Sequence, residues 1–286
     1  MKETIARATA MRRTATMMYI RISMTLWYPT ATADKPTLGP RYAECCCLSN
    51  LFDRSLVHVE IWSDIACPWC YVGKRRFEAA LAIYEHRDEV SVTWRSFELD
   101  PDAPAKRPVD GATHLAEKYG MSREDAAAMQ DRMTESAAGD GLDFRFDIAR
   151  GANTFDAHRM IHLAAAHGAQ DAMKERLMRA YLTEGELISD PTTLARLARE
   201  VGLPVDEVQA VLSTDRFASA VRDDERTAAQ LGIHAVPFFV VDRAIGASGA
   251  HPPAQLLELL RHARAQNPPI PVSAAADSCT VDGSRC

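Results

Sequence analysis

No run of 18 or more apolar residues occurs in this chain of 286 residues, so a transmembrane helix is not expected. Positive charge is not in excess either. Lys and Arg number 33 against 39 Asp and Glu, a net charge of −6, which argues against a general nucleic-acid binder. Cysteine is scarce: seven residues fall into three groups, Cys45-Cys46-Cys47, Cys67/Cys70 and Cys279/Cys286. That is too sparse for a disulfide-stapled secreted scaffold, which a chain of this length would not need. No His-Glu-x-x-His occurs. His158 and His162 share a helix face at i, i+4 and His167 follows, but without that carboxylate arrangement they read as structural or surface histidines, and no metal site is assigned. What the chain does have is 47% hydrophobic residues, enough for one large core or two small ones.

The most informative stretch is Cys67-Pro68-Trp69-Cys70. Before it, Val57–Trp62 alternates and is rich in β-branched and aromatic residues, which predicts a strand; after it, Phe77, Leu81 and Tyr84 recur at helical spacing through a helix over 70–86. A Cys-x-x-Cys at such a junction sets its first sulfur at a helix N-terminus, where unsatisfied N–H groups and the macrodipole favour a thiolate. Thiolate attacks disulfides, so the motif points to thiol–disulfide exchange. Pro68 suits the first helical turn, where a missing N–H costs little. Asp64, three residues before Cys67, is read as a helix cap in preference to a proton acceptor. Lys74 and Arg75 are read as a solvated face.

Residues 1–56 differ from the rest: up to Arg21 there are five basic residues and one acid. A secretory signal, with Ile22–Trp27 as its apolar region and Ala31-Thr32-Ala33 as cleavage site, has too short an apolar run, and a transit peptide is only faintly resembled. The preferred reading is a disordered extension or a start codon assigned too early, and Cys45–Cys47 within it receive no role. From Val57 onward the order is strand, helix and a second strand at Val90–Arg95, whose helical crossover makes the two strands parallel. A proline-bearing loop, Phe97–Pro108, leads into a helical region over 111–231. Its signals include Ser122 with Asp125, Asn153 as a cap with Gly168 as a stop, the stripe Met173, Leu177, Tyr181, and Asp190-Pro191. Strand Val236–Val241, a turn at Asp242-Arg243, a hairpin partner over Ala244–Ala247 and a helix after Pro252/Pro253 follow. Residues 267–286 form a Pro-rich linker and a Cys-containing tail.

This order, with Asp64-Ile65-Ala66-Cys67-Pro68-Trp69-Cys70-Tyr71-Val72-Gly73, Asn153-Thr154-Phe155-Asp156-Ala157-His158-Arg159 and Gly232-Ile233-His234-Ala235-Val236-Pro237-Phe238-Phe239-Val240, resembles the DsbA-like superfamily and, within it, the FrnE-type oxidoreductases. The resemblance covers about 57–265. It implies an α/β thioredoxin-like fold, built from 57–110 and 232–266, with a large all-helical insertion over 111–231. It implies Cys67 as attacking and Cys70 as resolving sulfur, and Pro237 as a cis-proline facing them. Pro68, Trp69, Val236 and Pro237 then become candidate substrate-binding positions. Trp69 replaces the His of strong oxidants in the superfamily, so the direction of electron transfer stays open. Ala235 stands where the family more often has Gly. Cys279 and Cys286 are read either as an auxiliary disulfide or as two incidental thiols of the tail. Kin with serine at the first motif position, the glutathione-linked transferases and isomerases, supply the alternative activity. A non-catalytic zinc protein with four thiolate ligands, Cys67, Cys70, Cys279 and Cys286, and a peptide-binding chaperone are readings from other classes. The expected cofactor is none beyond the redox-active disulfide, with glutathione or thioredoxin as external reductant. The expected partners are thiol- or disulfide-containing proteins or peptides, without nucleic acid or membrane, in the cytoplasm; an exported location is the alternative.

Overall fold

A computed structural model describes residues 57–266, together with the backbone of a two-residue strand, β1 (Ile20–Arg21). The expectations placed on Cys45–Cys47, on the leader segment after Arg21 and on Cys279/Cys286 lie outside the described residues. The remaining elements are β2 (Val57–Ser63), α1 (Pro68–Ala82), β3 (Val90–Ser96), α2 (Gly111–Tyr119), α3 (Arg123–Ala138), α4 (Phe155–Ala166), α5 (Gln170–Leu182), α6 (Pro191–Glu200), α7 (Val205–Ser213), α8 (Ala218–Gln230), β4 (Phe238–Val241), β5 (Ile245–Ser248) and α9 (Pro253–Gln266).

The sheet order is β1-β5-β4-β2-β3. β2 and β3 run parallel, as a helical crossover demands, while β4 pairs antiparallel with both β2 and β5. The hairpin turns over Asp242-Arg243-Ala244, with φ of 49° and 53° at the first two and Ala244 N donating back to Val241 O, the left-handed backbone that suits the twist of paired strands. Alternation then sorts the central strands. Val59, Ile61, Phe239 and Val241 enter the main core with α1 and α9, where the Phe77 and Phe239 rings lie 5.6 Å apart. Trp62, Phe238 and Val240 point to the opposite face and pack with Ala228 and Ile233 of the α8 end. Both faces are therefore covered. The outer edge of β3 is closed by a side chain: the Gln170 amide accepts from Trp94 N and donates to Trp94 O, each at 3.0 Å, standing in for a neighbouring strand.

The capping signals of the helical region appear where their chemistry places them. Ser122 accepts from Asp125 N, and Asp190 accepts from Thr193 N ahead of Pro191. Gly168, with φ 67°, follows α4. Several boundaries differ from expectation. α1 starts at Pro68 and ends at Ala82, not at 86, because the chain must turn back to enter the parallel strand; Tyr84 stays buried beyond the helix and reaches Leu260 O. Asn153 does not cap α4 as its N-cap residue: Thr154 holds that position, and the Asn153 side chain accepts from Phe155 N at 2.8 Å. Phe217 precedes α8 as a residue at φ 66°. The returning strand begins at Phe238, leaving Val236 and Pro237 in the connection before it, and β5 lies one residue later than expected.

Candidate active site

The end of β2 and the start of α1 converge on one point. Cys67 is the N-cap residue of α1, with extended backbone (φ −89°, ψ 112°), and Pro68 opens the first turn. Cys67 is 5% exposed and Cys70 fully buried, which orders the two sulfurs by access. Trp69, between them, is 46% exposed. Both cysteines are free thiols. The Cys67 thiol donates to the carbonyl of Val236 at 3.7 Å, so residues 169 positions apart in sequence meet at the motif. The Val236–Pro237 peptide bond is cis. Burial and the adjacent Cys67 push the Cys70 thiol well above the ordinary range.

Gly73 is what lets α1 come this close: a Cβ on it would stand 2.8 Å from Pro237 Cγ. Gly73→Ala gains about 1 kcal/mol of helix propensity but meets a ring that cannot swing aside, an overpacking cost of roughly 1–3 kcal/mol. The expected outcome is a net loss of about 1 kcal/mol in chemical denaturation together with slower disulfide exchange. Unchanged stability and rate would show that the 236–237 segment yields freely.

Beneath the motif lies a chamber of buried polar groups. Asp64 is 2% exposed, and it does not cap α1, whose N-cap has no side-chain hydrogen bond. Its carboxylate accepts instead from Leu99 N at 2.8 Å and from Ala66 N at 3.4 Å, and faces His158 Nε2 at 3.4 Å. Desolvation opposes its ionisation, but His158 and the Leu99 amide prevail and hold it below the usual carboxylate range. The buried ring of His158 is held below its ordinary value, chiefly by desolvation. The three histidines are dispersed: His158 faces Asp64, His162 faces Asp224 at 3.1 Å, and His167 faces Glu207 at 3.0 Å. Among the described residues no group of three or more His, Cys, Asp or Glu is placed to hold a metal ion.

Lys74 is not solvated. Its side chain is 2% exposed and pairs with Glu78, and with Asp171 and Glu175 of α5 at 3.2 Å each. Arg75 is half-buried and joins the same network through Glu78 and Glu175. These residues tie α1 to the insertion. A second lysine, Lys174 of α5, is fully buried and donates to Ser63 O at 2.9 Å. It carried no expectation from the sequence, although Lys174, Leu177 and Tyr181 share the helical spacing of the buried stripe.

The loop after β3 carries a further titrating group. Glu98 is buried; its Oε2 accepts from Arg222 Nη1 at 2.6 Å, which also serves Glu225 Oε2 at 2.7 Å, while Glu98 Oε1 has no hydrogen-bond partner. Desolvation and the Glu225 charge outweigh Arg222 and lift Glu98 from 4.5 to about 7. The folded state therefore holds a proton that the unfolded state releases, and stability falls as pH rises from about 4.5 to about 7. Glu98→Gln keeps an acceptor for Arg222 and offers a donor to Glu225. The variant's thermal midpoint is expected to exceed that of wild type at pH 8, with the gap closing by pH 4.5; a gap independent of pH contradicts the assignment.

Comparison with known proteins places this geometry. The family model for the DSBA-like thioredoxin domain matches residues 58–261. The chain belongs to this family. A solved structure described as a "probable DsbA oxidoreductase SCO1869" from Streptomyces coelicolor is 45% identical, with a TM-score of 0.72 over 79% of this chain and all of that one. The "uncharacterized protein YwbO" of Bacillus subtilis (strain 168) is 28% identical over 198 residues, 68% of this chain and 92% of that protein. A 2-hydroxychromene-2-carboxylate isomerase shares the fold at 13% identity and a TM-score of 0.52, covering 73% of this chain and 95% of that one. The DsbA-like thioredoxin fold with its helical insertion is thus the architecture of this chain, and its family is that of thiol oxidoreductases. Among the described residues no helix is long and apolar enough to cross a membrane.

Proposed function

We propose that the chain is a dithiol–disulfide oxidoreductase acting on protein or peptide substrates through Cys67 and Cys70. The observation that carries this reading is the pairing of a slightly exposed cysteine at the α1 N-cap with a fully buried one three residues on, both free, the first of them against the carbonyl of Val236 beside the cis Pro237. The Cys67 thiolate attacks one sulfur of a substrate disulfide, forming a mixed disulfide and releasing the other sulfur as a thiolate. The Cys70 thiolate then attacks Cys67 Sγ, closing the 67–70 bridge and expelling the second substrate thiolate. The reverse sequence oxidises a substrate dithiol by the same two bonds. Val236 and Pro237 form the wall against which an extended substrate lies, and the exposed Trp69 indole and Pro68 form its floor. Pro237 has no N–H, so backbone pairing with a peptide falls to Val236.

No resident cofactor is invoked: the bridge itself stores the electron pair. Glutathione or thioredoxin serves as the external reductant in a cytoplasmic setting, and the direction of flow follows from the 67–70 potential against that pool. The deciding measurement is that potential, taken against glutathione buffers, with insulin reduction by the wild-type protein. A measurable 67–70 couple and reductant-dependent insulin precipitation are the expected results. Absence of both, in folded protein, overturns the reading, and conversion of an aromatic substrate that survives loss of Cys70 would replace it with glutathione-linked chemistry.

A further inference from the structure

We propose that Arg76 couples the helical insertion to the wall on which substrate lies, through a strap of backbone at Gly249-Ala250; this rests on the oxidoreductase reading above. Lys74, Arg75 and Arg76 follow one another on α1, and the first two meet carboxylates of α1 and α5. Arg76 goes elsewhere.

Its guanidinium spans two parts of the molecule. On one edge Nε lies 3.1 and 3.0 Å from the two carboxylate oxygens of Asp140, and Nη2 lies 2.9 Å from Oδ2. Asp140 belongs to the insertion, in the turn that leaves α3, where its amide donates to Ala137 O at 3.0 Å. On the other edge Nη1 donates to Ala250 O at 2.7 Å. The Arg76 side chain is 20% exposed and that of Asp140 17%, so the pair is largely shielded from solvent. A planar fork with fixed N–H directions holds both partners at once, which an ammonium point charge does not.

Ala250 carries this hold to the site. It follows Gly249, which leaves β5 at φ 101° and whose N–H donates to Pro237 O at 2.8 Å. A Cβ built on Gly73 would stand 3.6 Å from Ala250 Cβ and 2.8 Å from Pro237 Cγ, so the strap and the proline ring press on one spot of α1. Gly73 and Arg76, three residues apart, share that face of the helix. Pro237 has no N–H by which to be held, and its carbonyl rests on a glycine whose backbone resists displacement weakly. Pinning the next carbonyl, Ala250 O, is what fixes that glycine. Val236, joined to Pro237, presents its carbonyl to the Cys67 thiol. The contacts thus run without a gap from Asp140 through Arg76 and the strap to the wall. A shift of the insertion against α1 alters the hold on the strap, and with it the stance of the wall toward Cys67. Arg76 touches neither sulfur and is a positioning residue.

Amide hydrogen exchange and steady-state kinetics on the full chain test this. In Asp140→Ala the Gly249 amide, reached from Asp140 through Arg76 and Ala250, is expected to exchange with solvent roughly fivefold or more faster than in wild type, the scale of one weakened hydrogen bond. For a peptide carrying a single disulfide, KM is expected to rise by a similar factor with kcat nearly unchanged, the mark of lost binding. Arg76→Met gives the same pattern more strongly, and Arg76→Lys, which reaches one partner but not both, recovers part of it. Arg75→Met loosens α1 from α5 without touching the strap, and is expected to leave Gly249 exchange and KM at their wild-type values. Wild-type Gly249 exchange in Asp140→Ala overturns the proposal. So does a lower denaturation midpoint with KM unmoved, or a KM rise shared equally by Arg75→Met, since either makes Arg76 a general brace of α1. If Arg76→Met does not fold, Asp140→Ala decides. A wild-type protein that exchanges no disulfides defeats the oxidoreductase reading itself, while Gly249 exchange still reports whether Asp140 and Arg76 hold the strap.

Discussion

Cys67→Ser is expected to lower disulfide exchange by roughly three orders of magnitude or more, the scale on which enzymes lose their nucleophile. Cys70→Ser is expected to lower turnover nearly as far but by a different route, because Cys67 can still attack. The asymmetry follows from access. Cys67 is the residue at the mouth, beside Val236 O, and Cys70 lies fully covered behind it. With Cys70 replaced, the mixed disulfide has no internal thiol to resolve it, and one substrate thiol per protein should accumulate, visible by mass spectrometry and removed by dithiothreitol. With Cys67 replaced, no adduct should form, because the remaining thiol is buried and burial pushes it up. Adduct on Cys70 in the Cys67→Ser protein, or turnover surviving in it, would reverse the assignment. Both substitutions are nearly isosteric, so thermal midpoints close to that of the reduced wild type are the control that the loss is chemical.

The parts of the fold visible in the sequence are those whose signals are local. β2, the motif and α1 are contiguous, and their alternation, proline and helical spacing each report on a few neighbouring residues. The same holds for Ser122 and Asp190, whose side chains cap the amide three residues on. The polar chamber is less legible because its members meet only after folding. Lys74 looks solvated among charged neighbours, yet one of its partners, Asp171, lies 97 residues away in sequence. Asp64 has the spacing of a cap, but the Leu99 amide, brought alongside by the β2–β3 pairing, takes its carboxylate. Lys174 carries a usable signal: it sits on an apolar helical stripe, where a lysine must be either paired or chemically engaged. The insertion places α4 and α5 against the end of β2, where His158 meets Asp64 and Lys174 meets Ser63 O just ahead of the motif.

Trp62→Ala is expected to cost about 3–5 kcal/mol, the range for removing a fully buried aromatic ring. Trp62 is 0% exposed and lies opposite Phe238 in the β2–β4 register. Its indole packs with Ala228, Ile233 and Val240, and its Nε1 donates to Asp224 O at 2.9 Å. That cluster fastens the end of α8 and the connection through Ile233 to the sheet, and this connection carries Val236 and Pro237 to Cys67. The loss should therefore register twice: as a lower denaturation midpoint, and as slower attack by Cys67 under conditions where the variant is still folded. Trp62→Phe separates ring from donor. It keeps most of the packing and removes the indole donor from Asp224 O, which keeps its donor within α8, for about 0.5–1.5 kcal/mol. Exchange that stays at the wild-type rate in folded Trp62→Ala would show that the Val236–Pro237 segment is positioned by α1 through Gly73 rather than by the sheet face behind it.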